Sequence, residues 1–253
     1  MPAALLALLL AFLPAASSAA ATSPADLATG LSQPLPGALV YRPRRPPACG
    51  QAYPMLVLLP GTGGSARSMI DAVRPVADRH GILLFAAESA GENWDAVDAF
   101  FDDYERGSAA GRTQWAVPQF GADARRLRFL ADRLLAYPAI DRRRVGLLGF
   151  SHGASYALTF GAAHPDLFGT IVALSPGILV LPPEPQGRQR VFLSHGRGDP
   201  VQPFRRTERQ FLPRLNALGF TATFRAHGGG HVLPQPVLDE AARFFLEGQA
   251  CGA

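Results

Sequence analysis

Val145-Gly146-Leu147-Leu148-Gly149-Phe150-Ser151-His152-Gly153-Ala154-Ser155-Tyr156-Ala157-Leu158 is the stretch whose reading decides the rest of the chain. Its first part is short and apolar on both faces, as a buried parallel strand is. Its second part opens a helix expected over Ser151 to Ala163. Between them lies Gly149-Phe150-Ser151-His152-Gly153, a G-x-S-x-G. A serine on a tight strand-to-helix turn is forced into strained backbone angles and lifts its hydroxyl above the sheet. The flanking glycines leave room for strand and helix to approach. The new helix also aims its first N–H groups and positive dipole end at the hydroxyl. The pattern alone arises often by chance, and the strand before it and helix after it give it weight. Ser151 is the expected nucleophile.

A serine is a poor nucleophile at neutral pH until a base takes its proton, and the base needs a carboxylate to orient it. On a strand-turn-helix serine the chain order is serine, acid, histidine. Downstream of Ser151, Asp166 comes directly after the nucleophile helix, and Glu184 sits among prolines. Asp199 follows an apolar run in Ser194-His195-Gly196-Arg197-Gly198-Asp199-Pro200-Val201, which puts it at the carboxyl edge of a parallel sheet. Asp199 is the expected acid; its competing reading is a turn aspartate before proline. His195 precedes it and is expected to pack beneath the loop. His227 and His231 both follow the next apolar run, in His227-Gly228-Gly229-Gly230-His231. His231, on the glycine-rich loop just before the last helix, is the expected base, with His227 as the alternative.

Attack by a serine creates an oxyanion, which two fixed backbone N–H groups can hold. One is expected from His152, next to the nucleophile. The other is expected from Thr62, in the turn Pro60-Gly61-Thr62-Gly63-Gly64-Ser65 after the run Met55 to Leu59. A phosphate-cradling loop fails here, because no lysine follows and the spacing is not G-x-x-x-x-G-K. The string His227 to Gly230 looks like an oxyanion loop but lies on the wrong side of the nucleophile.

Outward from these motifs, apolar runs alternate with amphipathic stretches. Strands are expected at Ala38–Tyr41, Met55–Leu59, Ile82–Ala86, Val145–Leu148, Thr170–Leu174, Val191–Ser194 and Thr221–Phe224. Helices are expected at Ser65–Asp78, Ala122–Ala136, Ser151–Ala163, Phe204–Ala217 and Pro236–Glu247, the first and fourth interrupted by Pro75 and Pro213. This alternation predicts an α/β fold, a mostly parallel sheet with helices on both faces. Residues 95–118 fit least well and read as an insertion, either a partial lid or a surface excursion. Trp94, Phe100 and Trp115 are candidates to line an acyl or aromatic pocket, or equally to fill core.

The 253 residues suffice for one sizeable domain or two small ones. Of these, 48% are hydrophobic and 17% charged, which excludes a disordered chain. The 24 basic residues are all arginine against 20 acidic ones, for a formal charge of +4. The arginines are scattered, with no contiguous stripe or nucleic-acid-binding module, so no nucleic acid is expected as a partner. Residues 1–21 read as an export signal, a short apolar run ending in Ser17-Ser18-Ala19-Ala20-Ala21 without a basic residue near Met1; an uncleaved anchoring helix is the alternative. Residues 22–36 then read as a linker and 37–253 as the domain, secreted or periplasmic, with no stable membrane span. The two cysteines, Cys49 and Cys251, fit a disulfide in an exported chain, with two unpaired thiols as the alternative.

The segments Leu58 to Ser65, Ile140 to Val145, Gly149 to Leu158, Ala173 to Gly177 and Ser194 to Asp199 together resemble the phospholipase/carboxylesterase family, with polyhydroxybutyrate-depolymerase-like esterases close by. The likeness runs from about Pro54 to Glu247. It implies the α/β-hydrolase fold with little or no cap, and a cofactor- and metal-free Ser151/Asp199/His231 esterase acting on small-molecule esters. Two departures bear on substrate choice: Pro60 stands where relatives commonly carry histidine, and the insertion at residues 95–118 is long. A thioesterase or peptidase would use the same groups, and a non-catalytic binding module on the same scaffold is the reading from another class. A metal site built on His227, His231 and Asp199 lacks a further ligand at conventional spacing.

Overall fold

The computed structural model describes residues 27–48, 50, 52–97, 117–182, 184 and 189–247. The expected export signal, both cysteines, Phe100, Trp115 and most of the expected insertion lie outside the described residues. The chain forms eight strands: β1 (Gly30–Leu35), β2 (Ala38–Arg42), β3 (Tyr53–Leu59), β4 (Leu83–Ala86), β5 (Ile140–Phe150), β6 (Thr170–Leu174), β7 (Arg190–Gly196) and β8 (Thr221–His227). They lie side by side in the order β1-β2-β4-β3-β5-β6-β7-β8. From β4 to β8 every neighbour is parallel, while β1 and β2 run antiparallel at one edge. Every residue of β3, β4 and β6 is buried, as strands covered on both faces must be. This is the α/β-hydrolase fold.

The covering helices are α1 (Ala66–His80), α2 (Ala122–Leu134), α3 (His152–Ala163), α4 (Phe204–Arg206), α5 (Leu212–Ala217) and α6 (Gln235–Glu247). On one face, Met69, Ile70 and Val73 of α1 pack with Leu238 and Phe245 of α6 over Leu56, Leu58 and Leu148. On the other, Leu127 and Leu130 of α2 and Tyr156 and Phe160 of α3 pack over Met55, Val57 and Leu147. Helix α3 is buried along nearly its whole length, which explains its small residues: wider side chains would push it off the sheet.

Register sets up the site. Leu59 of β3 pairs with Gly149 of β5, so Pro60-Gly61 and Phe150-Ser151 leave the sheet side by side. Gly196 of β7 pairs with His227 of β8, so the loops carrying Asp199 and His231 also leave together. All four loops emerge from carboxyl ends of parallel strands, where binding crevices form in open sheets.

Two elements differ from the sequence reading. Residues 30–35, inside the expected linker, form β1. The strand turns back at Pro36-Gly37, with Gly37 at φ 80°, a pair suited to a type II turn. An edge strand half in solvent needs no long apolar run and tolerates Pro34, so its pattern escapes a search for buried strands. Residues 204–217 are not one helix: α4 and α5 flank a π-helical turn, Thr207–Phe211. Pro213 cannot donate to a carbonyl four residues back, and its ring would strike it. The chain widens there, and the Leu212 N–H donates to the Thr207 carbonyl five residues back. Pro75, by contrast, lies inside an unbroken α1.

Candidate active site

Ser151 sits between β5 and α3 at φ 55° and ψ −121°, a conformation that costs a non-glycine residue on the order of 1–3 kcal/mol. The neighbours hold it there. The Ser151 N–H donates to the Leu174 carbonyl at 2.9 Å, and the Ser151 carbonyl accepts from Ala154 and Ser155 at 2.9 and 3.1 Å. Glycine is required on both sides: a β-carbon at Gly149 would run into the Gly153 carbonyl, and one at Gly153 into the carbonyls of Leu59 and Pro60. A β-carbon at Gly61 would lie 2.9 Å from that of Ser151. The Pro60–Gly64 turn therefore crosses directly against Ser151.

That turn is closed by the Gly64 N–H donating to the Gly61 carbonyl at 2.9 Å, with Gly63 at φ 66°. Thr62, an expected oxyanion donor, donates its hydroxyl to Asn93 Oδ1 at 2.6 Å. His152, the other expected donor, lies in the first turn of α3, where N–H groups point out of the helix end. Its Nδ1 accepts from the Trp94 N–H at 3.4 Å. Trp94, expected to line a pocket, is 2% exposed and stacks on Tyr156 at 4.9 Å. Its indole Nε1 donates to the Pro60 carbonyl at 2.9 Å. A buried indole must place its N–H somewhere, and here it braces the turn instead of facing the cleft.

Of the two candidate bases, His231 is the one joined to Asp199, its Nδ1 donating to Oδ2 at 2.7 Å. His227 instead turns its Nδ1 to accept from the Gly229 N–H at 3.2 Å. The loops carrying Asp199 and His231 are laced together: Arg197 N–H donates to the His227 carbonyl at 2.8 Å and Gly198 N–H to the Gly229 carbonyl at 3.1 Å. A β-carbon at Gly196 would collide with the carbonyls of Gly229 and Gly230, so the glycines on both loops permit this close approach. Asp199 Oδ1 accepts from the Val201 and Gln202 N–H groups at 2.8 Å each. Burial pushes its carboxyl up, but the Gln202 N–H, His231 and the Val201 N–H outweigh that, and its pKa lies below the usual carboxylate value. His195 packs beneath the loop, fully buried, with Nε2 3.1 Å from Asp199 Oδ2. Burial lowers its pKa.

Ser151 and His231 line one cleft of about 300 Å³, with Pro60, Gly61, Thr62, Ser68, Met69, Phe150 and Leu233. Among the described residues no hydrogen bond joins the Ser151 hydroxyl to the His231 imidazole; hydrogen bonds of this kind are often long in free sites and tighten in the substrate complex. The Phe150 ring lies 4.8 Å from the imidazole and keeps it over the nucleophile turn. Phe150, Met69 and Leu233 escaped sequence reading. Phe150 stood in view as the variable position of the motif, whereas Met69 and Leu233 reach the cleft only through the packing of α1 against α6. Among the described residues, no group of three or more His, Cys, Asp or Glu converges as a metal site, and no helix is long and apolar enough to cross a membrane.

Comparison with known proteins bears on this geometry. The family model described as phospholipase/carboxylesterase matches residues 47–246. NocK of Nocardia uniformis subsp. tsuyamanensis, provisionally named an esterase, is 31% identical over 163 residues. The match covers 62% of this chain and 43% of NocK, so the chain spans less than half of that relative. The crystal structure of esterase PE8 superposes with a TM-score of 0.55 at 25% identity, covering 87% of this chain and 99% of PE8. The Bacillus cereus carboxylesterase has the same fold, with a TM-score of 0.58 at 16% identity over 83% of this chain and 93% of its own.

Proposed function

The chain belongs to the phospholipase/carboxylesterase family of ester hydrolases, and we propose on that premise that it cleaves carboxylic esters through an acyl-enzyme on Ser151. The observation that carries the reading is the 2.7 Å bond from His231 Nδ1 to buried Asp199, on an imidazole that shares its cleft with the strained serine. With Nδ1 donating, Nε2 is left as the acceptor, the tautomer a general base needs.

In the proposed cycle His231 Nε2 takes the Ser151 proton as Oγ bonds to the ester carbonyl carbon. Negative charge moves to the carbonyl oxygen, between the N–H groups of Thr62 and His152. The tetrahedral intermediate collapses, the C–O bond to the alcohol breaks, and His231 returns its proton to the departing alkoxide. Water, deprotonated by the same imidazole, then attacks the acyl-serine carbonyl; the C–Oγ bond breaks, the acid departs, and His231 returns the proton to Ser151 Oγ. Asp199 stays ionised and stabilises the imidazolium, a role suited to a carboxylate held below its usual pKa.

The cleft of about 300 Å³, walled by Met69, Phe150 and Leu233, suits short to medium acyl groups. The wild type is expected to hydrolyse nitrophenyl acetate and butyrate, and a fluorophosphonate probe is expected to label Ser151 on peptide mapping. Ser151→Ala should lower kcat by roughly four to six orders of magnitude. Equal turnover by that variant would overturn the proposal.

A further inference from the structure

His195 takes no direct part in the proposed cycle, yet its ring is held at both nitrogens. Its side chain is wholly buried, as is that of Asp199. Nε2 lies 3.1 Å from the Gln202 carbonyl and 3.1 Å from Asp199 Oδ2, and Nδ1 lies 2.8 Å from Thr207 Oγ1. A carbonyl oxygen only accepts, so Nε2 must carry the hydrogen. In the neutral ring Nδ1 is then the acceptor, and the Thr207 hydroxyl donates to it. The tautomer of this histidine is thus set by one carbonyl and one hydroxyl.

Counting the bonds on Asp199 shows what the tautomer does. Oδ1 accepts two backbone N–H groups, from Val201 and Gln202. Oδ2 faces two imidazoles, His231 Nδ1 at 2.7 Å and His195 Nε2 at 3.1 Å. A carboxylate has about four acceptor positions; three take the hydrogen bonds from Val201, Gln202 and His231, and the fourth faces the His195 Nε2–H, which it shares with the Gln202 carbonyl. Thr207 reaches Nδ1 from the first position of the π-helical turn, so the widened turn before Pro213 delivers the hydroxyl under the ring.

We propose that His195 is a positioning residue that tunes the proposed base through Asp199, its Nε2–H sharing Oδ2 with His231 and restraining how strongly that oxygen holds the imidazolium. The inference rests on the Ser151/His231/Asp199 reading. Among the described residues, the other titratable or charged groups on the elements packed against the pair include His227 on the end of β8, Arg197 on the loop carrying Asp199 and Arg206 on α4. Arg197 stands over the Phe204 ring at 5.1 Å, and Arg206 donates to the Gly177 carbonyl at 2.9 Å.

The test is the pH profile of kcat/KM for nitrophenyl butyrate in the full chain, with His195→Asn, His195→Gln and Thr207→Val variants. Asparagine cannot bring an N–H to the Nε2 position, whereas glutamine can. Losing the donor leaves Oδ2 more basic toward His231, so the acid limb of the His195→Asn profile should move to higher pH by about half a unit. His195→Gln should keep the limb close to its wild-type place, and Thr207→Val should move it the same way by less. Merely lost packing lowers the melting temperature without moving the limb. A folded His195→Asn with the wild-type limb would overturn the role, and if that variant does not fold, an unmoved limb in Thr207→Val does so. A wild type that hydrolyses no ester would strike the proposed function and this inference together; normal hydrolysis with unmoved limbs removes the inference alone.

Discussion

At Trp94 one residue touches both segments proposed to supply oxyanion donors. The indole N–H holds the Pro60 carbonyl, the main-chain N–H meets His152 Nδ1, and the ring stacks on Tyr156 of α3. In a chain with Pro60 at the end of β3, the turn gains no side-chain hydrogen bond from that position, and Trp94 supplies one from outside. Trp94→Phe keeps the stacking and removes the donor, leaving a buried carbonyl unpaired at a cost of about 1–3 kcal/mol. The expected result is a fall in kcat of about tenfold with little change in KM, since the turn is asked to hold charge mainly in the transition state. A fall in KM-linked binding alone, with kcat intact, would return Trp94 to the substrate-contact role that its sequence position suggested.

Elements matter here through the loops they deliver. The carbonyls of Gly229 and Gly230 leave no room for a β-carbon at Gly196, so the loops carrying Asp199 and His231 pack closely only with glycine there. Gly196→Ala should separate them and reduce kcat/KM by about tenfold to a hundredfold, in line with small misplacements of catalytic groups. The far-UV circular dichroism should stay that of the wild type; undiminished activity would show that the loops are independent. At the opposite edge, β1 covers β2, and Leu27 just before it is fully buried, its carbonyl accepting from Arg42 Nη1 at 2.7 Å. A chain beginning at residue 37 leaves β2 as an open antiparallel edge and should melt lower and aggregate, whereas one beginning at residue 27 should not. Equal melting temperatures would mean that β1 adds nothing to the sheet.

The whole molecule couples the site to pH. Burial lowers the pKa of His195, and burial does the same for His227 despite Asp199 nearby. Asp199 and Asp239 are held below the usual carboxylate value, Asp239 chiefly by its bond to His80. Unfolded histidines titrate near about 6.5 and aspartates near about 3.9, so the unfolded chain binds more protons than the folded one below each value. Stability from the histidines is complete above about pH 6.5 and is lost as pH falls below it; that from the aspartates is lost only below about pH 3.9, as pH falls toward their folded values. Melting temperature should therefore decline in two stages on acidification, and a constant value from pH 7 to 4 would refute the histidine part. Much of this molecule was legible in the chain itself. Seven strands and the strained turn at Ser151 follow from local patterns, because buried strands are short apolar runs and strained turns demand glycine; Asp199 and His231 stood out as candidates by their places after such runs. Strand β1 was not legible, since an edge strand half in water carries no such run, nor was the π-helical turn, which answers a proline in its tertiary setting. The 2.7 Å bond that joins His231 to Asp199, the inward turn of Trp94 and the second imidazole on Asp199 were decided by tertiary structure alone. Each depends on which loops meet across strands β7 and β8 or over the end of β3, and sequence spacing does not encode the distance between loops that join only when the sheet forms.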